Sequence, residues 1–369
     1  AAEATMSIFN YFVIFLIAKA GGRSVETESG DLLERCRLDN GEAEISQVLK
    51  REDTLMPTEE LAEEAPSISE SSTPGVIENT ETPRESDGAP DSEPATGCTI
   101  PTGNIKKEEV KTLSSKMWKA DVNRVKVEVN IQTQLGADSN SDQSSGKLFK
   151  KVPAETFKNE VARRLVDLFD NYYPASGVEE DTSQGEVIEV DAFLDAVIKS
   201  EVMDMVRVFL DKKGIVDGDP NHFRKEIKRL WFTYYDRNPN GEKEYSSGFE
   251  HVFIGEWKKK STSGFHNWIR MHYLEKHGKL NYHGYFKEKK LGDTSFLSLQ
   301  FSWENHLKQI TSVFLGSSPE FDFALFTLCY YSYPGKGCKV RLGDTDVTVV
   351  SFVHCYRNSH YPGTVYPSD

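Results

Sequence analysis

The fold class is decided by residues 249–268, FEHVFIGEWKKKSTSGFHNW, where the chain changes from a helical to an extended pattern. Residues 249–256 alternate apolar and polar side chains, which predicts a strand, and residues 265–273 predict one short helix. Upstream, apolar residues recur at helical spacing; downstream, β-branched and aromatic residues dominate. We predict an α+β fold with a helical N-terminal half followed by a β-sheet-rich half.

The helices are predicted from the i, i+4, i+7 spacing of apolar residues. One helix is predicted from Phe157 to Leu168, another from Phe193 to Ile198 behind a candidate cap at Asp191, and two more at residues 202–210 and 223–234. NPNG at residues 238–241 predicts a turn. The predicted strands of the second half are residues 294–303, 321–331, 339–342 and 347–353.

The negative charge of the chain is concentrated in one segment. The formal net charge is −14, and residues 21–100 hold 20 Asp and Glu against 6 Lys and Arg. This segment is nearly free of aromatics, and such a composition cannot bury enough apolar surface to become ordered. We predict a disordered acidic linker over residues 21–110. The rest, residues 111–369, is predicted to be one charge-balanced domain that can carry a basic face for a polyanion.

The N-terminus predicts export. Residues 8–18, IFNYFVIFLIA, are apolar but too few for a bilayer span, which takes roughly 20 residues. Ala18-Lys19-Ala20 has the small-x-small form of a signal-peptidase site. We therefore predict a signal peptide over residues 1–20, cleaved after Ala20, and a secreted product. Residues 1–5 precede Met6, the expected initiator, and are expected to be extra. The alternative is an uncleaved anchor.

The five cysteines form no CxxC pair, so they do not indicate a zinc module. Cys329, Cys338 and Cys355 lie in the β-rich stretch, where an exported protein can form one bridge. Cys36 and Cys98 lie in the acidic segment and either pair with each other or stay free.

Two histidines carry the candidate chemistry. His251 and His266 lie in a run of Gly, Ser, Lys and Glu, and a pair of imidazoles can move two protons near neutral pH. His266 follows Gly264, which allows close approach of a ligand, and lies at a predicted helix start that favours anions. Sequence motifs for nucleotide phosphates, dinucleotides, a serine nucleophile and the H-E-x-x-H zinc site are missing. The pattern predicts acid–base chemistry.

Seven sequence blocks follow one another between residues 111 and 369. They are KMWKADVNR (116–124), LFDNYYPASGVEEDTSQGE (168–186), FLDAVIKSEVM (193–203), LWFTYYDR (230–237), FEHVFIGE with GFHNW, FLGSSPEFDFALFTLCYY (314–331) and HYPGTVYP (360–367). In these blocks the chain resembles the eukaryotic poly(U)-specific endoribonuclease family, the EndoU or placental-protein-11-like domain. The resemblance implies a ribonuclease that cuts single-stranded RNA at uridines. The ribose 2′-hydroxyl attacks the adjacent phosphate and leaves 2′,3′-cyclic phosphate and 5′-hydroxyl ends.

The resemblance also implies a catalytic trio of His251, His266 and Lys308. By analogy with the related coronavirus uridylate-specific endoribonuclease, His266 is expected to take the 2′-hydroxyl proton and His251 to protonate the departing 5′-oxygen. Lys308 is expected to place its charge beside the phosphorane.

Three further positions match those by which the family selects uridine. Ser312 is expected to hydrogen-bond the pyrimidine edge and Tyr366 to stack on the base, with Thr364 as the partner position in the same motif. The chain departs from the family at Pro362, where an isoleucine is common, and after Lys308, where Lys-Pro-Val is usual.

Glu250 and Glu256 match acids that the family needs for activity. They are expected either to orient the imidazoles or to bind Mn²⁺ or Ca²⁺, on which eukaryotic members depend, because carboxylates are suitable hard ligands for both ions. The expected partner is single-stranded uridine-containing RNA, and the expected state is a monomer without stable membrane insertion. Two alternatives stay open: a catalytically inactive secreted RNA-binding protein of the same fold, and an acidic linker that is itself the functional part.

Overall fold

Most of the helices lie in the first half of the folded region. The computed structural model describes residues 98–136, 138–180, 182–238 and 245–369. Within these ranges, a 3-10 helix, Ala154–Lys158, and a π-helix, Glu250–Ile254, accompany seven α-helices. These are α1 (Lys107–Ala120), α2 (Glu160–Asp167), α3 (Gln184–Ile198), α4 (Glu201–Lys212), α5 (Pro220–Phe232), α6 (Trp268–Lys276) and α7 (Pro319–Ser332).

The longer strands follow in the second half. The strands are β1 (Glu128–Val129), β2 (Phe149–Lys151), β3 (Tyr235–Asp236), β4 (Tyr245–Ser246), β5 (Glu256–Lys258), β6 (Ser261–Ser263), β7 (Leu280–Leu291), β8 (Thr294–Trp303), β9 (His306–Leu315), β10 (Gly337–Leu342), β11 (Thr345–Tyr356) and β12 (Ser359–Ser368). One sheet has the order β5-β6-β9-β8-β7, another β10-β11-β12, and β1-β2 and β3-β4 form two short pairs. The α+β class, helices first and sheet later, is confirmed.

Helix α7 is buried on all sides. Every residue from Pro319 to Tyr331 is buried, and Trp231 of α5 donates a hydrogen bond from Nε1 to Thr327 Oγ1 over 2.9 Å. The prediction of a strand at residues 321–331 was wrong, because a helix buried all round has no amphipathic period and its aromatic content imitates a strand. The start signal was Ser318, which caps the helix, followed by a proline at its first position.

The predicted strand at residues 249–256 is also wrong. The chain forms a π-helical turn there, closed by the bond from the Gly255 N–H to the Glu250 carbonyl over 2.9 Å. Alternation predicted a strand with two opposite faces, yet Glu250 and His251 are buried together with their apolar neighbours. The short helix predicted at residues 265–273 exists as α6 but begins at Trp268, so His266 lies just outside its cap, Asn267.

The other predicted elements agree more closely with the structure. The helices from Phe157 to Leu168 and at residues 202–210 and 223–234 are confirmed in α2, α4 and α5, and three predicted strands in β8, β10 and β11. Helix α3 has Ser183, not Asp191, at its N-cap position; Asp191 lies inside the helix, and its carboxylate pairs with Arg224 and Lys228. The turn at residues 238–241 falls mainly on residues outside the described ranges.

The folded region begins earlier than predicted. The signal segment and residues 21–97 of the predicted linker lie outside the described residues, but helix α1 begins at Lys107, before the predicted boundary at 111, and buries Val110. Cys98 forms a disulfide with Cys355, so the expectation that Cys98 pairs with Cys36 or stays free was wrong. Cys329 and Cys338 form the bridge expected in the C-terminal stretch. In the described part of the chain, no helix is both long and apolar enough to cross a membrane.

Candidate active site

Two neighbouring segments carry the histidine pair. The π-helix holds His251 and the loop before α6 holds His266, and they are joined by two main-chain bonds: Phe265 N–H to the His251 carbonyl over 2.8 Å, and His266 N–H to the Val252 carbonyl over 2.7 Å. Gly264 permits this approach. Its φ is +63°, and a Cβ at this position would collide with the His251 carbonyl oxygen. The sequence folds here so that the main chains of the two histidine-bearing segments are in direct contact.

The surroundings of His266 define which ring nitrogen carries the hydrogen. Nδ1 lies 3.2 Å from the Ser312 carbonyl oxygen and 3.3 Å from Thr311 Oγ1, whose own hydrogen is donated to the Phe265 carbonyl over 2.6 Å. Both neighbours of Nδ1 therefore act as acceptors, so Nδ1 carries the hydrogen. In the neutral ring Nε2 is then the basic atom, and it lies 3.5 Å from Thr364 Oγ1.

His251 lies against a buried carboxylate. Its Nδ1 is 3.5 Å from Glu256 Oε1, which also lies 3.7 Å from Arg237 Nε and accepts a hydrogen bond from Ser246 Oγ. Burial by itself would raise the pKa of Glu256, but Arg237, His251 and Ser246 together lower this pKa below its ordinary value. Glu256 is therefore an anion, and a negative charge beside the ring stabilises the protonated form of His251.

Lys308 lies on the face of β9 that contacts His266. Phe301 pairs with Lys308 and Leu299 with Thr311, and the register shifts between these pairs. Because residues 299 and 301 share one face of β8, Lys308 and Thr311 share one face of β9. Thr311 contacts His266, so the ammonium group, on a side chain that is 2 % exposed, belongs to the same side of the sheet.

Ser312 meets His266 through its main-chain oxygen. The base-binding role of its hydroxyl stays a prediction.

Strand β12 closes the other side of the histidine pair. The Tyr366 ring stacks on the His266 ring, with centroids 4.9 Å apart and planes inclined by 21°. Thr364 Oγ1 meets the basic nitrogen of His266, Nε2, from the same strand. The structure thus brings His251, His266, Thr364 and Tyr366 together, from segments that are far apart in the sequence.

A pair of buried carboxyl groups lies behind His251. Glu250 is fixed by Ser247, whose N–H donates to Glu250 Oε2 over 3.3 Å, and it shares a side-chain hydrogen bond with Glu180. Burial raises the pKa of Glu180 to about 7, and burial together with the charges of Glu256 and Glu180 raises the pKa of Glu250 well above its usual range. One carboxyl of the pair therefore holds a proton at neutral pH.

The acids flanking His251 are each held by protein partners. Across the described ranges, no group of three or more His, Cys, Asp or Glu side chains is placed to hold a metal ion. Glu250 is engaged by Ser247 and Glu180, and Glu256 by Arg237, Ser246 and His251. These contacts favour the orienting role for both acids, and they do not fit a bound Mn²⁺ or Ca²⁺.

Sequence reasoning missed several residues of the site. Thr311 and Ser246 were not singled out, because their contacts join positions distant along the chain or depend on the π-helical turn. Glu180 and Arg237 lie within sequence blocks that carry the resemblance, and that is the one signal that pointed to them. Their roles follow from burial beside charged partners rather than from any spacing.

Two buried imidazoles, one facing two hydrogen-bond acceptors and the other beside a carboxylate, lie in an α+β fold that also buries Lys308 on the same side of the sheet as Thr311. The family model for Endoribonuclease XendoU matches residues 109–367, and the chain belongs to this family. A solved structure, "The structure of XendoU: a splicing independent snoRNA processing endoribonuclease", is similar with a TM-score of 0.60 and 32 % identity, covering 72 % of this chain and 98 % of that chain.

Curated relatives agree with this assignment. Uridylate-specific endoribonuclease B of Danio rerio is 35 % identical over 272 residues, which are 70 % of this chain and 95 % of the relative. The uridylate-specific endoribonuclease of Homo sapiens is 36 % identical over 256 residues, 67 % of this chain. The match spans 62 % of the human protein, less than two thirds of its length.

Proposed function

We propose that the chain cleaves single-stranded RNA at uridines by transesterification. The observation that carries the proposal is that the two imidazoles have opposite surroundings, one suited to a base and the other to an acid. His266 directs Nδ1 at two acceptors and leaves Nε2 to take a proton, whereas His251 lies beside the Glu256 carboxylate and is set to give one. The names of the relatives, uridylate-specific and poly(U)-specific endoribonuclease, support the choice of uridine.

In the proposed reaction, the bond from O2′ to phosphorus forms while the bond from phosphorus to O5′ breaks. His266 Nε2 takes the proton of the 2′-hydroxyl. His251 gives its proton to the departing 5′-oxygen, so that the products are a 2′,3′-cyclic phosphate and a 5′-hydroxyl. The Lys308 ammonium stabilises the charge on the phosphorane; one such preorganised group contributes on the order of 3 kcal/mol.

Base choice is proposed to come from Thr364, Tyr366 and Ser312. An aromatic ring that stacks on the base contributes about 1–3 kcal/mol. Two contacts support this proposal: the Tyr366 ring stacks on the His266 ring, and the Thr364 hydroxyl lies 3.5 Å from His266 Nε2.

The test is cleavage of a fluorogenic oligonucleotide that contains a single ribouridine. We expect the chain to cut it at least tenfold faster than the same oligonucleotide with ribocytidine, and His266→Ala to abolish cutting without loss of RNA binding. Binding without any cutting by the unmutated chain would overturn the proposal and favour an inactive RNA-binding protein.

The proposal includes stimulation by Mn²⁺ or Ca²⁺, which the resemblance implies. No step above runs through the ion, because the described residues do not fit a metal centre. Activity in EDTA, before and after Mn²⁺ or Ca²⁺ is added back, tests this part. Unchanged activity in EDTA would remove the metal and leave the histidine chemistry intact.

We also propose that the protein is secreted and monomeric. Two disulfides, Cys98–Cys355 and Cys329–Cys338, support an oxidising compartment. Expression in secretory cells should yield protein in the medium that lacks residues 1–20, with the mass of one chain in solution. Retention inside the cells with residues 8–18 intact would contradict it.

A further inference from the structure

Phe352 shares a sheet face with the residues proposed to bind the base. Strand β11 pairs with β12 so that Phe352 lies opposite Thr364 and Val350 lies opposite Tyr366. Directly paired residues of antiparallel strands project from the same face. Phe352 therefore projects to the side where Thr364 and Tyr366 meet His266.

The rings on this face form a row that leads outward from the catalytic histidine. Tyr366 stacks on His266, and the Phe352 ring follows at 6.4 Å from Tyr366 with the planes inclined by 20°. Tyr366 is 9 % exposed, whereas Phe352 is 36 % exposed. The accessible aromatic surface beside the site therefore belongs mainly to Phe352.

We propose that Phe352 is a stacking platform for the base of the nucleotide next to the cleaved uridine. The proposal rests on the proposed function and extends it by one nucleotide. Every base has a π-face, so an aromatic ring binds bases without regard to sequence, and phenylalanine adds no hydrogen-bonding group that would select one. The platform thus raises affinity for an RNA chain while uridine choice stays with the inner residues.

Two substrates separate this contact from the chemistry. Uridine 3′-(4-nitrophenyl phosphate) carries one base, whereas the dinucleotide UpA and longer oligonucleotides carry a neighbouring base. We expect Phe352→Ala to lower kcat/KM roughly tenfold on the oligonucleotides, the loss that one stacking contact predicts, and to change it less than about twofold on the one-base substrate. Phe352→Trp should restore the oligonucleotide rate.

Abasic substitutions locate the neighbouring base. One set of oligonucleotides lacks the base on the 5′ side of the uridine, and another lacks it on the 3′ side. The unmutated chain should cleave one of these two sets more slowly than the intact oligonucleotide. Phe352→Ala should cleave that same set and the intact oligonucleotide at equal rates. Val208→Ala, which shortens a half-exposed apolar side chain on α4, is the control and should change none of these rates.

The outcomes distinguish the two proposals. If the unmutated chain cleaves both kinds of substrate and Phe352→Ala affects both equally, or neither, the stacking role is overturned and the proposed function stands. If the unmutated chain cleaves neither substrate, the proposed function itself fails.

Discussion

Glu256 sets the electrostatics of the site at the scale of single residues. Its carboxylate is buried and faces Nδ1 of His251. Burial alone would raise the pKa of this carboxyl group, but Arg237, His251 and Ser246 together lower it. A protonated His251 is the form that the proposed reaction requires. The Glu256 charge, rather than the ring alone, therefore extends the pH range over which His251 can act as an acid.

Glu256→Gln should move the alkaline limb of the kcat/KM profile to lower pH by about one unit. The amide keeps the size of the side chain but removes the charge that opposes loss of the His251 proton. Rates measured from pH 5 to 9 check this prediction. Glu226→Gln, which alters a carboxylate paired with Arg229 elsewhere, is the control; an unmoved alkaline limb in Glu256→Gln would contradict the role given to Glu256.

At this scale the sequence predicts the residues proposed to carry the chemistry better than it predicts the residues that position them. His251, His266 and Lys308 were identified from residue type and from the resemblance. Thr311, which fixes the His266 tautomer from a position 45 residues away, carries no signal of its own. Contacts between distant segments depend on the fold, so a single sequence does not reveal them.

At the scale of elements, the π-helical turn and the loop before α6 place the imidazoles. The two main-chain bonds between them are possible because Gly264 lets the segments touch. The alternating pattern of residues 249–256 predicted a strand because polar residues normally mark a solvent face. Here the polar residues are buried, since they are the site itself.

Gly264→Ala should nearly abolish activity and destabilise the chain by more than about 2 kcal/mol, because the new Cβ meets the His251 carbonyl in addition to the cost of a positive φ. Gly278→Ala is a matched control: Gly278 has φ +72° and no atom within 4 Å of an added Cβ, so it should cost only about 1 kcal/mol. Urea unfolding and kcat/KM measure both effects. Equal losses in the two variants would contradict the close approach at Gly264.

At the scale of the whole molecule, a buried carboxyl group beside α7 lowers the free energy of unfolding at neutral pH. Asp121 is buried against the start of α7. Burial and the Glu320 charge raise the pKa of its carboxyl group to about 6, although a hydrogen bond from Ser318 opposes the increase. The folded chain therefore holds this proton more tightly than the unfolded chain. Between about pH 4 and pH 6 the free energy of unfolding falls as pH rises, as far as this group contributes.

Asp121→Asn should remove that penalty. Relative to the unmutated chain, the free energy of unfolding of the variant should rise from pH 4 to pH 7 by up to ~3 kcal/mol. Asp346→Asn is the control with the opposite sign, because Arg341 and Lys111 lower the pKa of Asp346 and its charge stabilises the fold at neutral pH. Urea unfolding at each pH measures the difference in free energy of unfolding between each variant and the unmutated chain. A difference for Asp121→Asn that does not change with pH would contradict the raised pKa of Asp121.

The order of helices and strands was predictable at this scale, but their assembly was not. Periodicity identifies α2, α4 and α5, and composition identifies β8, β10 and β11. The Cys98–Cys355 bridge joins positions 257 residues apart, and no local pattern indicates such a partner. The buried helix α7 was misassigned because complete burial erases the period on which sequence reasoning depends.

The most direct test of the histidine mechanism is the chemistry of the product ends. An oligonucleotide with one ribouridine is cut to completion and analysed by mass spectrometry, beside the same oligonucleotide with 2′-deoxyuridine. Attack by the 2′-hydroxyl predicts a 2′,3′-cyclic phosphate on one product, a 5′-hydroxyl on the other, and no cutting of the deoxy substrate. A 5′-phosphate end, or cutting of the deoxy substrate, would contradict the mechanism.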